Sequence, residues 1–356
     1  MSKRLEKHAQ QSVSRETGGA GQPERGGIEA IAFTDRGEML AEKLMDAVGG
    51  RACRSGQPDS LRAWTEKHFP SAKVLIFVGA AGIAVRAIVP WVNSKVSDPA
   101  VIVIDERGRN VIPILSGHLG GANDLAADLA RICGGRCVLT TATDINGVFA
   151  VDEWAKRQNC AILEPERIKN ISGGLLGGET KTVRSHWPIA GILPDGLMMT
   201  GAEEADIVLD IRPTGEKGIH LIPRICRLGI GCRRGTRAED LEAFLEQMLR
   251  DTGIHEAAIA GAATIDIKGD EKGLLQFCEN HGWPLQLFDA PQLEQAPGSF
   301  HGSEFVAGVT GVDNVCERSA VLASEGELIV GKTAGGGMTM ALAQSGFQPD
   351  WEWSNE

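Results

Sequence analysis

Two short runs in this chain, AKVLIFVG at 72–79 and AVIVIDE at 100–106, are apolar at nearly every position before their final glycine or acids. A strand with one face in water alternates apolar and polar side chains, whereas a strand covered on both faces does not. Runs of this length therefore predict strands buried between two layers, as in a mostly parallel sheet flanked by helices. The neighbouring segments supply those layers. IEAIAFT (28–34) reads as a strand and RGEMLAEKLMDAV (36–48) as a helix, and AAGIAVRAIVPWV (80–92) continues the second strand into another helix. NVIPIL (110–115) reads as a short strand, placed at an edge because Pro113 lacks an N–H. ANDLAADLARICG sets apolar residues at 122, 125, 126, 129, 132 and 133, the spacing of an amphipathic helix, and stops at Gly134–Gly135. RCVLTTATD (136–144) reads as the next strand.

The rhythm restarts near residue 224. RICRLGIGCRRGT reads as a strand entering a Gly/Arg loop, RAEDLEAFLEQMLRDTG as a helix, and IAGAATIDIK, EKGLLQFCENHG and WPLQLFD as strand, helix and strand. ELIVGKTAGGGMTMALAQ (327–344) reads as two strands joined by a glycine loop. The expected architecture is two α/β domains with mostly parallel sheets, at 28–145 and 224–345, flanking a smaller middle α/β module at 146–223. A polar tail covers 1–27 and a short one 346–356.

Charge and cysteine usage narrow the class. With 36 Lys+Arg against 47 Asp+Glu the formal net charge is -11, which argues against non-specific nucleic-acid binding. No apolar run approaches the roughly 18 residues of a membrane span, and the N-terminus lacks the apolar core of a secretory signal. The eight cysteines are scattered without a CxxC pair, so neither a disulfide framework nor a structural zinc site is expected, and a reduced cytoplasmic location is. An anionic ligand would need local basic groups or backbone N–H groups.

Four segments carry candidate chemistry. In PILSGHLGGANDLAADLA (113–130), His118 stands on a strand-to-helix turn, where open α/β sheets bind ligands. Gly117, Gly120 and Gly121 permit close backbone approach, and the helix start near Asn123 is expected to offer unpaired N–H groups for a carboxylate or oxyanion. The bland alternative is a structural turn in which Asn123 or Asp124 caps the helix and Ser116 only shapes the loop. In GCRRGTR (231–237), Arg233 and Arg234 are placed to pair with carboxylates, or else form a solvated loop. Cys232 reads as packing. In TGVDNVCERSA (310–320), Asp313 or Asn314 would cap a helix, and Glu317 is the second acid–base candidate or a first-turn acid facing the helix dipole. In GKTAGGGMT (331–339), Lys332 and Thr333 could hold an anionic substituent, or form a flexible hairpin tip. GELIVGKT (326–333) matches the phosphate-loop pattern literally, but its intervening residues favour a strand and no clear helix follows, so ATP binding is not expected. The nucleophile elbow and metal-ligand clusters of common hydrolases are missing from the sequence.

Taken together, LSGHLGGANDLA, GIGCRRGT, TGVDNVCERSAVLAS and LIVGKTAGGGMT resemble the signature segments of the cobalt-precorrin 5A hydrolase (CbiG) family of anaerobic cobalamin biosynthesis. The resemblance runs over nearly the whole chain after the tail. It implies hydrolysis of the δ-lactone of a ring-contracted cobalt-corrinoid, with loss of a two-carbon unit as acetaldehyde, giving cobalt-precorrin 5B. The cobalt belongs to the substrate, so no cofactor bound by the protein is implied, and neighbouring pathway enzymes are transient partners. On this reading His118 serves as general base and Glu317 as the second proton-transfer group. Ser116, Gly117, Gly120, Gly121, Asn123, Arg233, Arg234, Asn314, Lys332 and Thr333 meet the substrate and its carboxylates. The competing reading is a non-catalytic corrinoid-binding or handover protein. The chain has no tyrosine, so hydroxyl donors to such a ligand are restricted to serine and threonine.

Overall fold

The computed structural model describes residues 26–94, 97–117, 120–140, 145–302, 307–308 and 311–353. They fall into two compact units, one formed by residues 26–153 with residue 353 and the other by Trp154–Glu352.

The first unit is built on β1 (Gly26–Ala32), α1 (Asp35–Val48), β2 (Arg51–Arg54), α2 (Leu61–His68), β3 (Ala72–Val78), α3 (Ala81–Ile88), β4 (Ala100–Ile104), β5 (Asn110–Leu115), α4 (Ala122–Cys133) and β6 (Arg136–Cys137). Its sheet has the order β2-β1-β3-β4-β5-β6, parallel except between β4 and β5. The apolar run of β3 does what its composition predicts. Val74, Ile76 and Val78 enter one core with Leu44 and Leu129, while Leu75 and Phe77 enter another with Trp64 and Ile88. Each successive residue thus meets a helix layer on alternate sides of the sheet.

Two expectations are corrected here. β5 is not the edge strand, because β6 lies beyond it, but β6 pairs only at Asn110 and Val111. Pro113 therefore falls beyond the reach of that ladder, and its missing N–H leaves no gap there. The strand expected over 136–144 is only two residues long, and residues 141–144 lie outside the described ones.

The second unit continues with α5 (Val151–Arg157), which begins in the first unit, then β7 (Cys160–Ile162), α6 (Ile168–Leu176), β8 (Lys181–Ser185), β9 (Leu197–Met199), β10 (Ile207–Leu209) and β11 (Ile219–Pro223). These strands form a sheet of order β7-β11-β10-β8-β9, antiparallel only between β7 and β11. Then follow β12 (Cys226–Cys232), α7 (Ala238–Thr252), β13 (Ile259–Ile265), α8 (Lys272–His281), β14 (Leu285–Phe288), α9 (Ala290–Glu294), α10 (Cys316–Ser324), β15 (Glu327–Gly335) and β16 (Met338–Gln344). Their sheet has the order β14-β13-β12-β16-β15, with β14, β13 and β12 parallel and the β15–β16 hairpin antiparallel.

The two sheets of this unit share one core, in which Ile211 and Ile222 pack with Leu228, Ile230, Leu245 and Phe277. The segment after β16, expected as a tail, is also part of the packing. Trp351 is buried and stacks on Trp154, whose indole N–H donates to the Asp350 carbonyl at 2.6 Å. An indole buried against another indole removes a large apolar area from water, enough to hold a short terminal segment in place.

The hairpin explains the phosphate-loop match. GELIVGKT runs along β15 itself, and the chain then turns through Gly336 and Gly337 at φ 59° and 80° into β16. Two successive positive φ angles make the tight turn that suits the twist of a hairpin. A strand followed by a hairpin turn cannot wrap phosphates as a loop before a helix does.

Candidate functional site

The turn from β5 into α4 carries the first group of candidates. Its central residues, His118 and Leu119, lie outside the described residues. Around them the loop closes on itself. Ser116 takes a left-handed conformation, φ 54°, and its hydroxyl donates to the Asp98 carbonyl at 3.1 Å. The Ala122 and Asn123 N–H groups donate to the Ser116 and Gly117 carbonyls at 3.3 and 3.0 Å. Those two donors were expected to be open to an anion, and the loop takes them up instead. Gly121, at φ 76°, is the N-cap, so neither Asn123 nor Asp124 caps the helix. A Cβ at Gly117 would sit 2.7 Å from Asn123 Oδ1, and one at Gly120 would sit 2.5 Å from Ser116 Cβ. The glycines at these two positions are therefore required by the loop's own packing.

A second group gathers where α10 meets β12 and β15. Gly229 of β12 lies directly beneath the helix: a Cβ there would stand 1.8 Å from the Cys316 carbonyl oxygen and 2.8 Å from the Ala320 nitrogen. This close seating carries the first turn of α10 deep into the unit, and Glu317 is fully buried. Asn314 closes the turn from both ends. Its Oδ1 accepts the Glu317 N–H at 2.9 Å, while its Nδ2 donates to the Glu317 carboxylate and to the His301 carbonyl. Both amide hydrogens are in use, so Asn314, expected to touch substrate, shapes the turn instead.

The Glu317 carboxylate also collects donors from two distant segments. The His301 backbone N–H reaches Oε2 at 2.9 Å, His301 Nδ1 lies 3.2 Å from Oε1, and the Lys332 N–H donates to Oε1 at 2.7 Å. The last bond exists because β15 slips register: Val330 faces Leu342 and Thr333 faces Met340, leaving Gly331 and Lys332 opposite Ala341 alone. A bulge of this kind removes one N–H from the ladder and re-aims it. Burial alone would raise the carboxyl pKa. The N–H groups of His301 and Lys332, with the imidazole, outweigh it and hold Glu317 below the usual carboxylate range. Such a group keeps its charge and orients its neighbours, and is poorly suited to trading protons near neutrality.

His301 was not among the residues singled out from sequence. Its side chain is 84% exposed although its partner is fully buried. Arg318 fixes the segment that presents it. The guanidinium pairs with Asp313 at 2.9 Å, donates to the Leu293 and Glu294 carbonyls at 3.2 Å, and lies 4.8 Å over the Phe300 ring. Gly302 is needed beside Asp313, because a Cβ there would come within 2.7 Å of its carboxylate. A histidine between phenylalanine and glycine gives no local signal. Only the contact across 16 residues of chain identifies it.

The basic candidates separate. Arg234 is committed to Asp270, at 3.3 Å, and to the Ile267 carbonyl, whereas Arg233 lies over Gly337 and has no side-chain ion pair among the described residues. Lys332 and Thr333 stand on β15, half-buried, and the Lys332 ammonium likewise has no ion pair among the described residues. Burial pushes the Cys232 and Cys316 thiols up, away from the thiolate form a nucleophile needs. Among the described residues no group of three or more His, Cys, Asp or Glu could hold a metal ion, and no helix is long and apolar enough to cross a membrane.

Comparison with known proteins adds sequence relationships to this geometry. Residues 226–343 match the family model described as "Cobalamin synthesis G C-terminus", and residues 63–144 match "Cobalamin synthesis G N-terminal". The chain is 35% identical over 289 residues to the cobalt-precorrin-5A hydrolase of Salmonella typhimurium, covering 77% of this chain and 82% of that protein. It is 30% identical over 306 residues to the cobalt-precorrin-5A hydrolase of Priestia megaterium, covering 80% and 82%. Over 119 residues it is 34% identical to protein CobE of a Sinorhizobium species, covering 33% of this chain and 77% of that protein.

Proposed function

The chain belongs to the cobalt-precorrin-5A hydrolase family, and we propose that it carries out the hydrolysis for which its relatives are named. The observation that carries this reading is the extent of the likeness: relatives with that name align over more than three-quarters of this chain and of their own length. In the finer form of the proposal, water opens the δ-lactone of a cobalt-corrinoid intermediate. A two-carbon fragment then leaves as acetaldehyde. The cobalt enters and leaves with the substrate. Location in the cytoplasm belongs to the same reading and is supported by the cysteines, which form no disulfide among the described residues.

The geometry suggests how an acidic protein would hold a ligand rich in carboxylates. Arg233 and Lys332 are cations without internal ion pairs among the described residues, so binding a carboxylate breaks no existing bridge. Arg234 would first have to release Asp270, and is the weaker contributor.

The test is anaerobic incubation with enzymatically prepared cobalt-precorrin 5A, with trapping and quantitation of acetaldehyde. Release in step with loss of substrate supports the reading. Pigment bound tightly and left unchanged would replace it with a corrinoid carrier. Arg233→Ala is expected to raise KM several-fold, and Arg234→Ala by less. Equal effects would remove the distinction drawn between them.

A further inference from the structure

The geometry points to His301 as the general base that activates water, with Glu317 as the positioning residue that fixes its tautomer. This inference rests on the hydrolase reading above. Glu317 is fully buried, is held in its charged form, and can only accept hydrogen bonds. The ring nitrogen facing it, His301 Nδ1, must therefore carry the proton. In the neutral ring Nε2 is then the basic nitrogen, and the side chain carrying it is 84% exposed. A carboxylate that orients one imidazole nitrogen so that the other can take a proton is the recurring arrangement of hydrolytic sites on unrelated folds.

Several charged groups lie around the ring among the described residues. Glu317 holds Nδ1, and Asp313 lies against Gly302. Arg318 covers Phe300 and is paired with Asp313, and Lys332 contributes its backbone N–H to the same carboxylate as His301. The Lys332 side chain extends from the bulge next to that bond, so a cation able to hold a substrate carboxylate stands on the residue that helps to hold the base.

The step balances without a cofactor. Nε2 takes a proton from water as the water oxygen bonds to the lactone carbonyl carbon. The tetrahedral oxyanion collapses, the ring C–O bond breaks, and the proton on Nε2 passes to the departing alkoxide. One water is consumed and the imidazole ends neutral.

The experiment compares wild type, His301→Ala and Glu317→Gln for acetaldehyde release, substrate KM and tautomer. The tautomer is read from proton–nitrogen correlation spectra of the histidine rings. His301→Ala should lower kcat on the order of a hundredfold or more, with KM little changed, and added imidazole should restore part of the rate. Glu317→Gln should lower kcat with KM retained, a split that simple loosening of the fold does not give. The spectrum should show Nδ1 protonated in neutral His301. Full turnover by His301→Ala, or a neutral ring protonated at Nε2, overturns the assignment while leaving the hydrolase reading intact. A wild type that binds cobalt-precorrin 5A and leaves it unchanged overturns both. Should Glu317→Gln fail to fold, His301→Ala still decides, because the side chain it removes lies at the surface.

Discussion

The turn entering α4 and the turn entering α10 are made of similar material: a run with glycine, an asparagine, and an acid within three residues of it. They use their polar groups differently. Before α4, the N–H groups of Ala122 and Asn123 bond back to Ser116 and Gly117, within the same few residues. Before α10, one carboxylate gathers N–H groups from His301 and Lys332, which lie 16 and 15 residues away. A buried charge that needs distant donors ties three segments together, and fixes a side chain on one of them.

The comparison breaks most visibly at Gly229. Gly229→Ala forces backbone apart under α10, and should cost about 3 kcal/mol or more in chemical denaturation. Gly134→Ala ends α4 at positive φ but meets open space, so it should cost only about 1 kcal/mol. Similar losses would mean that α10 is not seated as closely as described.

Next come the two histidines. His301→Ala should reduce turnover on the order of a hundredfold, about 2.7 kcal/mol of barrier. A larger loss in His118→Ala than in His301→Ala would reverse the ranking of the two turns.

The acid response is smaller. Glu317 has its carboxyl held below the ordinary range in the fold, so the stability it gives is fully present above its unfolded value of about 4.3, and drains away as pH falls through the lower folded value. Asp105, in the first unit, behaves alike below about 3.9: burial raises it, but the N–H groups of Arg109, Asn110 and Arg107 pull it lower. Thermal melts between about pH 5 and 3 should show Glu317→Gln losing less stability than wild type over that span. An identical slope would mean that the carboxylate is not held as drawn.

The smallest effect belongs to Ser116→Gly. It loses one hydrogen bond to Asp98, worth about 1 kcal/mol, and relieves a left-handed serine, worth about the same. The net change should lie within about 0.5 kcal/mol of zero.

These contrasts also show what could be read in the residues beforehand. β3 and β4 were legible because both faces are apolar, and α4 because its period and its terminal glycine agree. Among the described residues β6 stops at Cys137 instead of running on through 138–140, since the strand preference of Val138 and Thr140 does not itself supply a ladder. Glu317 stood out as a first-turn acid, yet its burial depends on Gly229, far away in sequence. His301 was invisible because its partner is supplied by tertiary folding, through a segment that Arg318 pins in place.

The bulge in β15 has a consequence for how the protein behaves in company. Among the described residues β15 is the last strand of its sheet, and such a strand invites a stranger to extend the ladder. At Lys332 the strand is interrupted by a bulge, whose N–H is turned onto Glu317. An incoming strand would find the spacing wrong at that point and a lysine beside the gap. The same irregularity that helps to hold Glu317 therefore discourages the protein from polymerising through its own edge.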